Sequence, residues 1–135
     1  MNFLFDSNII SEAMKRKPNL EIRQFIDKQT PVFISAISIE EIHYGLNYKD
    51  ANKKKIWFNN FVQSRCEVLP ITTEIAKQCG IWRGRFRQQG ITRSQADLLI
   101  GATALLHEMT LVTRNTKDFE ECEIQLFNPF DEPIK

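Results

Sequence analysis

Four carboxylates occupy positions from which an α/β chain could gather them into one site. Asp6 directly follows the apolar run 3–5, Asp97 precedes the apolar segment 98–106, and Asp118 follows the apolar run 110–113, while Glu41 lies shortly after the apolar run 32–34. Gathered carboxylates repel one another and raise each other's pKa unless a cation lies between them. A hard divalent ion, Mg²⁺ or Mn²⁺, prefers such oxygen ligands and could activate water for phosphodiester cleavage.

Strands alternating with helices are the elements that must position these acids. Apolar runs predict strands at 3–5, 32–34, 68–69, 110–113 and 124–127, and helical periodicity covers 9–17, 20–28, 39–47, 51–63, 74–89 and 95–107. This alternation predicts an α/β fold, a single domain over residues 1–135, with a mainly parallel sheet between two helical layers. Ligands bind beyond the carboxyl ends of such strands, so chemistry is expected at that edge.

The first two acids also have a structural explanation, because each stands near the start of a predicted helix. Asp6 or Ser7 could simply N-cap the first helix, as these residue types often do. Glu41 comes three residues after Ser38, which is the spacing of a capping box. For either residue taken singly, the capping role is at least as well supported as a catalytic one.

Asp97 and Asp118 stand three residues after the cap-type residues Ser94 and Asn115. The segment that follows Asp97 is apolar nearly all round, which is typical of a helix buried in the body of a domain. A carboxylate at the start of such a helix is expected to be partly enclosed, and an enclosed carboxylate needs a partner charge or a metal ion. Local physics therefore supports Asp97 best among the four.

Composition narrows the class of protein. Hydrophobic residues form 42% of the 135, enough for a packed core, and the formal net charge is +1. The three scattered cysteines, Cys66, Cys79 and Cys122, form no zinc motif, and their sparse use favours a reducing cytoplasm. No apolar run approaches the roughly 20 residues needed to cross a bilayer. We therefore expect a cytoplasmic protein without a membrane segment.

Five short motifs follow one another along the chain. Residues 5–11 read FDSNIIS and resemble the pattern LDTNxxS, and residues 35–45 read SAISIEEIHYG and resemble S-x-x-[ST]-x-x-E-[LI]-x-[RY]-G. Residues 96–102 read ADLLIGA and resemble ADxxIAA, and residues 111–119, LVTRNTKDF, resemble [LV]-[VA]-T-[RN]-N-x-[KR]-[DE]-F. The fifth motif is the tail FNPF at 127–130. Together, and over nearly the whole chain, these motifs resemble those of PIN domains, particularly toxins of the VapC type.

The resemblance implies a PIN-like three-layer α/β/α domain with a central sheet of four to five strands. It implies a Mg²⁺-dependent endoribonuclease, with Mn²⁺ as a substitute and tRNA as one candidate substrate. It also implies the toxin of a type II toxin–antitoxin system, neutralised by a VapB-type antitoxin. A homodimer and a toxin–antitoxin hetero-oligomer are the expected assemblies.

The same resemblance assigns roles residue by residue. It implies that catalysis and metal binding belong to Asp6, Glu41, Asp97 and Asp118. Glu41 rather than Glu40 matches the family's glutamate, because it precedes Ile-x-x-Gly. Asp118 is an auxiliary fourth acid, with Asn115 as its alternative. Substrate binding or support of the site is assigned to Ser7, Asn8, Thr113 and Asn115.

Two other functions compete with this interpretation. A catalytically inactive PIN module that binds RNA or protein would keep the fold, although four intact acids disfavour it. A phosphatase-like enzyme with Asp6 as nucleophile would place a second aspartate two residues later, where this chain has Asn8.

A basic stretch on the predicted helix 74–89 has two explanations of similar weight. Arg83, Arg85 and Arg87, with Arg93 beyond, could contact RNA phosphates. Alternating helix positions point in different directions, however, so the three cannot all face one ligand. A solvated or partner-facing surface is an equally good explanation.

Overall fold

A computed structural model describes residues 2–134 and contains a five-stranded sheet in the order β3-β2-β1-β4-β5. All four pairs of neighbouring strands are parallel. The strands are β1 Phe3–Phe5, β2 Val32–Ser35, β3 Cys66–Leu69, β4 Thr110–Val112 and β5 Leu126–Phe127. The predicted fold class and all five predicted strands are therefore confirmed.

Six α-helices and one short 3₁₀ segment connect these strands. They are α1 Ser7–Ala13, α2 Leu20–Asp27, α3 Ala36–Tyr48, α4 Asn52–Arg65, α5 Thr73–Gln88, α6 Gln95–Leu106 and the 3₁₀ segment Thr116–Cys122. Each α-helix corresponds to a predicted one. The largest difference is in α1, which ends at Ala13 instead of continuing to residue 17.

The side chains of each strand alternate between two helical layers, as the pleat of a strand requires. Phe5 and Val112 pack in one core cluster with α1, α2, α3 and α4, whereas Leu4 and Leu111 pack in a second cluster with Ile100 of α6. Helix α5 covers α6 through a third cluster that contains Trp82 and Leu98. The sheet is thus enclosed on both faces, which is the predicted three-layer arrangement.

The order of the strands reverses between β1 and β4. The chain leaves β1 towards β2 on one side, and it returns from β3 through α5 and α6 to pair β4 on the other side of β1. Connections that diverge in this way open a crevice beyond the carboxyl ends of the two strands. Asp6 follows β1 and Thr113 follows β4, so both stand at this switch point.

The start of α3 differs from the prediction and overturns the capping-box interpretation of Glu41. Ser35 ends β2 and caps α3 by accepting a hydrogen bond from Ile37 N–H at 3.0 Å. Because the helix begins at Ala36, Ser38 lies inside it, and its buried hydroxyl has no hydrogen-bond partner among the described residues. Glu41 is one turn too far along to reach the cap, so capping does not explain its position.

Helix α5 ends at Gln88, one residue before the end of the predicted helix 74–89, and Gly90 follows it. Gly90 has φ +74°, a left-handed conformation that glycine adopts without strain. Ile91 N–H donates to Phe86 O at 2.8 Å and Gly90 N–H donates to Arg87 O at 3.1 Å, which is the pair of bonds of a Schellman motif. The chain therefore turns sharply and leads directly to the start of α6.

The prediction of one domain over residues 1–135 stays a prediction, and its two end residues lie outside the described range. Between residues 2 and 134, no helix is both long enough and apolar enough to cross a bilayer.

Candidate active site

Asp6 is a buried carboxylate at the carboxyl end of β1, only 5% exposed. Its Oδ1 accepts from the N–H of Ser7 at 2.7 Å, and its Oδ2 accepts from Thr113 Oγ1 at 2.8 Å. Burial, aided by the negative charges of Asp97 and Glu41, nevertheless raises the pKa of Asp6 to about 6 against these two hydrogen bonds. The surroundings of Asp6 therefore disfavour the ionised form of its carboxyl group.

Asn8 and Thr113 fasten the ends of β1 and β4 together around Asp6. Asn8 Nδ2 donates to Asp6 Oδ2 at 3.2 Å and to Thr113 Oγ1 at 3.3 Å, and Asn8 Oδ1 accepts from Arg114 N–H at 3.1 Å. Asn8 thus forms hydrogen bonds through both its amide nitrogen and its amide oxygen, and these bonds link the residues that follow β1 to those that follow β4. This role disfavours the phosphatase-like alternative, which needs an acid at that position.

Glu41 joins the site from α3 through the hydroxyl of Ser7. Ser7 Oγ donates to Glu41 Oε1 at 2.8 Å, although the two residues are 34 positions apart. Glu41 is half-buried, whereas its neighbour Glu40 is exposed. The structure thus gives Glu41, and not Glu40, a direct link to the residue that follows Asp6.

Asp97 lies in the first turn of α6, where its N–H donates to the cap residue Ser94 at 3.0 Å. The predicted cap is therefore present. Burial raises the pKa of Asp97, and the charge of Asp118 raises it further, against the Ser94 hydroxyl and the Arg93 guanidinium. Asp97 thus interacts electrostatically with Asp6 on one side and with Asp118 on the other.

Asn115 and Asp118 enter the site in different ways. The side chain of Asn115 does not cap the 3₁₀ segment, and its backbone N–H donates to Thr113 Oγ1 at 3.1 Å. Asp118, in the first turn of that segment, is half-buried and contributes through its charge near Asp97. Of these two residues, only Asp118 has a side chain that interacts electrostatically with another acid of the site, namely Asp97.

Hydrogen bonds thus connect Asp6, Ser7, Asn8, Glu41 and Thr113, and electrostatic coupling connects Asp97 and Asp118. Within residues 2–134, no Lys or Arg forms an ion pair with any of the four acids. In the same range, no three Asp, Glu, His or Cys side chains form a group that could hold a metal ion by themselves. The donors are oxygen atoms with uncompensated negative charge, so their chemistry fits a hard divalent cation.

A basic groove beside the acids was not predicted from the sequence. It has a volume of about 500 Å³, and Ser7 and Glu41 form part of its wall. Its basic residues come from four separate segments, so no spacing in the sequence reveals them. They are Lys49, Lys54 and Arg114, together with Lys15, which forms an ion pair with Glu12 in the same wall.

Known proteins resemble this chain over nearly its whole length. The family model of the PIN domain matches residues 3–124. The toxin FitB of Neisseria gonorrhoeae is 30% identical over 139 residues, which cover 94% of this chain and 97% of FitB. The VapC ribonuclease Y4jK of Sinorhizobium fredii is 28% identical over 136 residues, which cover 95% of this chain and 97% of the relative.

A solved structure agrees with this result. The crystal structure of VapBC2 from Rickettsia felis, bound to a DNA fragment from its promoter, contains a chain that superposes with a TM-score of 0.81 at 26% identity. The superposition covers 95% of this chain and 98% of that chain. The resemblance of the five motifs is thereby confirmed, and the chain belongs to the PIN domain family.

Proposed function

We propose that this chain is the toxin of a type II toxin–antitoxin system and acts as a Mg²⁺-dependent endoribonuclease. One observation carries the proposal: buried or half-buried acids from four segments interact at the switch point of the sheet without a Lys or Arg ion pair among the described residues. A fold that only needed stability would neutralise such acids internally. The names of two relatives, the toxin FitB and the VapC ribonuclease Y4jK, support the same activity.

PIN-domain nucleases generally depend on a divalent cation, and we propose Mg²⁺ here, with Mn²⁺ as a substitute. Asp6, Glu41 and Asp97 would hold it, with Asp118 as the auxiliary acid. Mg²⁺ keeps several waters and binds through one or two carboxylates plus substrate phosphate, so it does not require a cage of three protein ligands. When bound, the ion supplies water activation and neutralises charge on the phosphodiester.

The remaining groups position these acids and the substrate. Thr113 and Asn8 orient Asp6, and Ser7 orients Glu41, through the hydrogen bonds described above. The basic groove next to Glu41 would bind RNA phosphates, since Lys and Arg supply most of the affinity for a nucleic-acid backbone. The RNA itself is unassigned, and tRNA is the first class to try.

A VapB-type antitoxin is the partner we propose, because the neighbouring structure from Rickettsia felis is named as a VapBC pair. We also propose a homodimer of this chain and a hetero-oligomer with the antitoxin. Light scattering of the chain alone and with the co-expressed antitoxin measures both assemblies. A monomer under both conditions would contradict them.

The function is tested by cleavage of purified RNA with Mg²⁺ and with a chelator. Asp6→Asn and Glu41→Gln are expected to lower cleavage by roughly 1000-fold or more, because each removes a carboxylate that would hold the metal ion at the reacting phosphate. Glu40→Gln is the matched control, since Glu40 is exposed on the same helix and should leave cleavage unchanged.

Full Mg²⁺-dependent cleavage by Asp6→Asn would overturn the site. RNA binding by the wild type without cleavage in any divalent metal would instead support the inactive module. Equal losses in Glu40→Gln and Glu41→Gln would show that α3 contributes general charge rather than one specific carboxylate.

A further inference from the structure

A second basic cleft lies on α5 and the loop that leads to α6. It has a volume of about 430 Å³. Arg83 and Arg87 of α5 and Arg93 of the loop line it, and Phe86 and Leu98 supply apolar surface. Its size is in the range of small-ligand sites. The function proposed above does not use it.

Helix geometry separates the arginines of α5 into two groups. Arg83 and Arg87 are four residues apart and so lie on one side of the helix, where both line the cleft. Gly84 also lines it, and where a Cβ would stand the space is open. Arg85 is exposed on the same helix but is not part of the cleft. The fold therefore separates the predicted basic stretch into Arg83 and Arg87, which line the cleft, and Arg85, which does not.

The charges of these arginines are compensated unequally. Arg93 Nη2 lies 2.6 Å from Glu121 Oε1 and donates to Lys117 O at 3.3 Å, so its charge is largely neutralised. Its Nε is buried without a hydrogen-bond partner in the part of the chain that the structure describes. Arg83 and Arg87 are exposed, and within residues 2–134 no carboxylate pairs with either. The cleft thus presents two uncompensated positive charges.

The cleft extends to the start of α6, the helix that carries Asp97. Arg93, which lines the cleft, is close enough for its guanidinium charge to lower the pKa of Asp97, and Leu98, which also lines it, directly follows Asp97. The basic groove described earlier contacts the site at Ser7 and Glu41 and is lined by neither Asp97 nor Leu98. The acids therefore have basic surface beside Asp97 as well as beside Glu41.

We propose that Arg83 and Arg87 bind backbone phosphates of the RNA strand that lies in the active site, beyond the stretch held by the basic groove. This inference rests on the proposed ribonuclease function. Acids repel a polyanion, so a strand that crosses them has to be held by cations on both flanks. Guanidinium groups suit this task because they donate two parallel hydrogen bonds to a phosphate.

The test measures binding of a fluorescein-labelled single-stranded RNA by anisotropy, in the Asp6→Asn background with Mg²⁺, over a series of salt concentrations. Arg83→Gln and Arg87→Gln should each flatten the slope of log K against log salt by about 0.7, the value for one phosphate contact on a single strand. Arg85→Gln is the matched control and should keep the slope. In the Asp6 wild-type background, the two cleft variants should raise KM and leave kcat unchanged.

Slopes for Arg83→Gln and Arg87→Gln equal to that of Arg85→Gln, with cleavage by the wild type intact, would overturn this site alone. Equal slopes together with an altered oligomeric state would assign the arginines to a protein interface and would also overturn it. Absence of cleavage by the wild type would overturn the proposed function and this inference together.

Discussion

Helix α1 has a buried carboxylate at each end, Asp6 and Glu12, and their surroundings shift the two pKa values in opposite directions. Glu12, near the last turn, is 6% exposed. Its Oε1 lies 2.9 Å from Lys15 Nζ, and its Oε2 accepts from the N–H of Asn19 at 2.9 Å. Burial acts to raise the pKa of Glu12, but the bonds and the charge of Lys15 hold it below its usual value. At the other end, Asp6 has a pKa raised to about 6.

The difference is one of charge, since Asp6 caps α1 as the capping alternative expected, but of the two acids only Glu12 has, among the described residues, a cation that neutralises it. Glu12 is neutralised by a neighbour and fastens α1 to the cap of α2. Asp6 receives only neutral hydrogen-bond donors and lies among other acids. Two carboxylates of similar solvent exposure, six residues apart, thus have opposite electrostatics, because Asp6 lies deeper in the protein and has no cation beside it within residues 2–134. A pKa raised in this way is a mark of a functional site.

The largest expected effect on stability is that of Asp6→Asn. The pKa of Asp6 is raised from 3.8 to about 6, so the folded state binds more protons than the unfolded state between these values. Its contribution to stability is full below pH 3.8 and is lost as pH rises to about 6. Asp6→Asn should therefore be more stable than the wild type at pH 8, by up to about 3 kcal/mol.

Urea unfolding of the two proteins at pH 4 and pH 8, in the presence of a chelator, measures this effect. The difference should nearly vanish at pH 4, and Glu40→Gln should show none at either pH. A less stable Asp6→Asn at pH 8 would mean that Asp6 serves the fold as Glu12 does.

Glu12→Ala is expected to act in the opposite direction. It leaves the N–H of Asn19 without its acceptor and removes the partner of Lys15. We expect a loss of about 1–3 kcal/mol in the free energy of unfolding at pH 7. Because a lowered pKa stabilises only above the unfolded value, the loss should shrink as the solution is acidified. Cleavage per folded molecule should persist, and a loss of cleavage with full stability would break the contrast with Asp6.

The smallest effect on stability concerns Ser35, which caps α3, and Ser38, which lies inside it. These two neutral side chains show the same contrast between a group with a hydrogen-bonding partner and a group without one among the described residues. Ser35 caps the helix, so Ser35→Ala should cost about 1 kcal/mol of unfolding free energy. The buried hydroxyl of Ser38 has no partner among the described residues, so Ser38→Ala should change stability by less than about 1 kcal/mol or increase it. Thermal unfolding of both variants checks the order. A larger loss of stability for Ser38→Ala than for Ser35→Ala would instead support Ser38 as the cap residue, with Glu41 in the capping box.

The sequence predicts the strands and the acids at their ends because both are local features. Apolar runs mark β1 and β4, and the carboxyl ends of parallel strands meet at one edge whatever their separation along the chain. Asp6 could therefore be nominated from the strand before it, and Asp97 from the apolar helix that follows it, without coordinates. Their roles in catalysis remain predictions until variants are assayed.

Other features could not be predicted from the sequence, because they depend on tertiary contacts that a local pattern of residues does not encode. Ser35 and Ser38 are both acceptable cap residues, and only the end of β2 at Ser35 decides between them. The bond from Ser7 to Glu41 joins two helices, and periodicity alone does not determine their separation. The same holds for Arg83 and Arg85, since only the packing of α5 on α6 creates the cleft that distinguishes them.

The hydrogen bond between Thr113 and Asp6 spans 107 positions of the chain. A ribosome releases the first strand long before it has made the fourth, so Asp6 leaves the exit tunnel without the hydroxyl that orients it. Because β4 pairs directly with β1, the middle of the sheet is completed only after every element between these two strands has been synthesised. The order of translation therefore delays assembly of this acidic centre until the ribosome has passed β4.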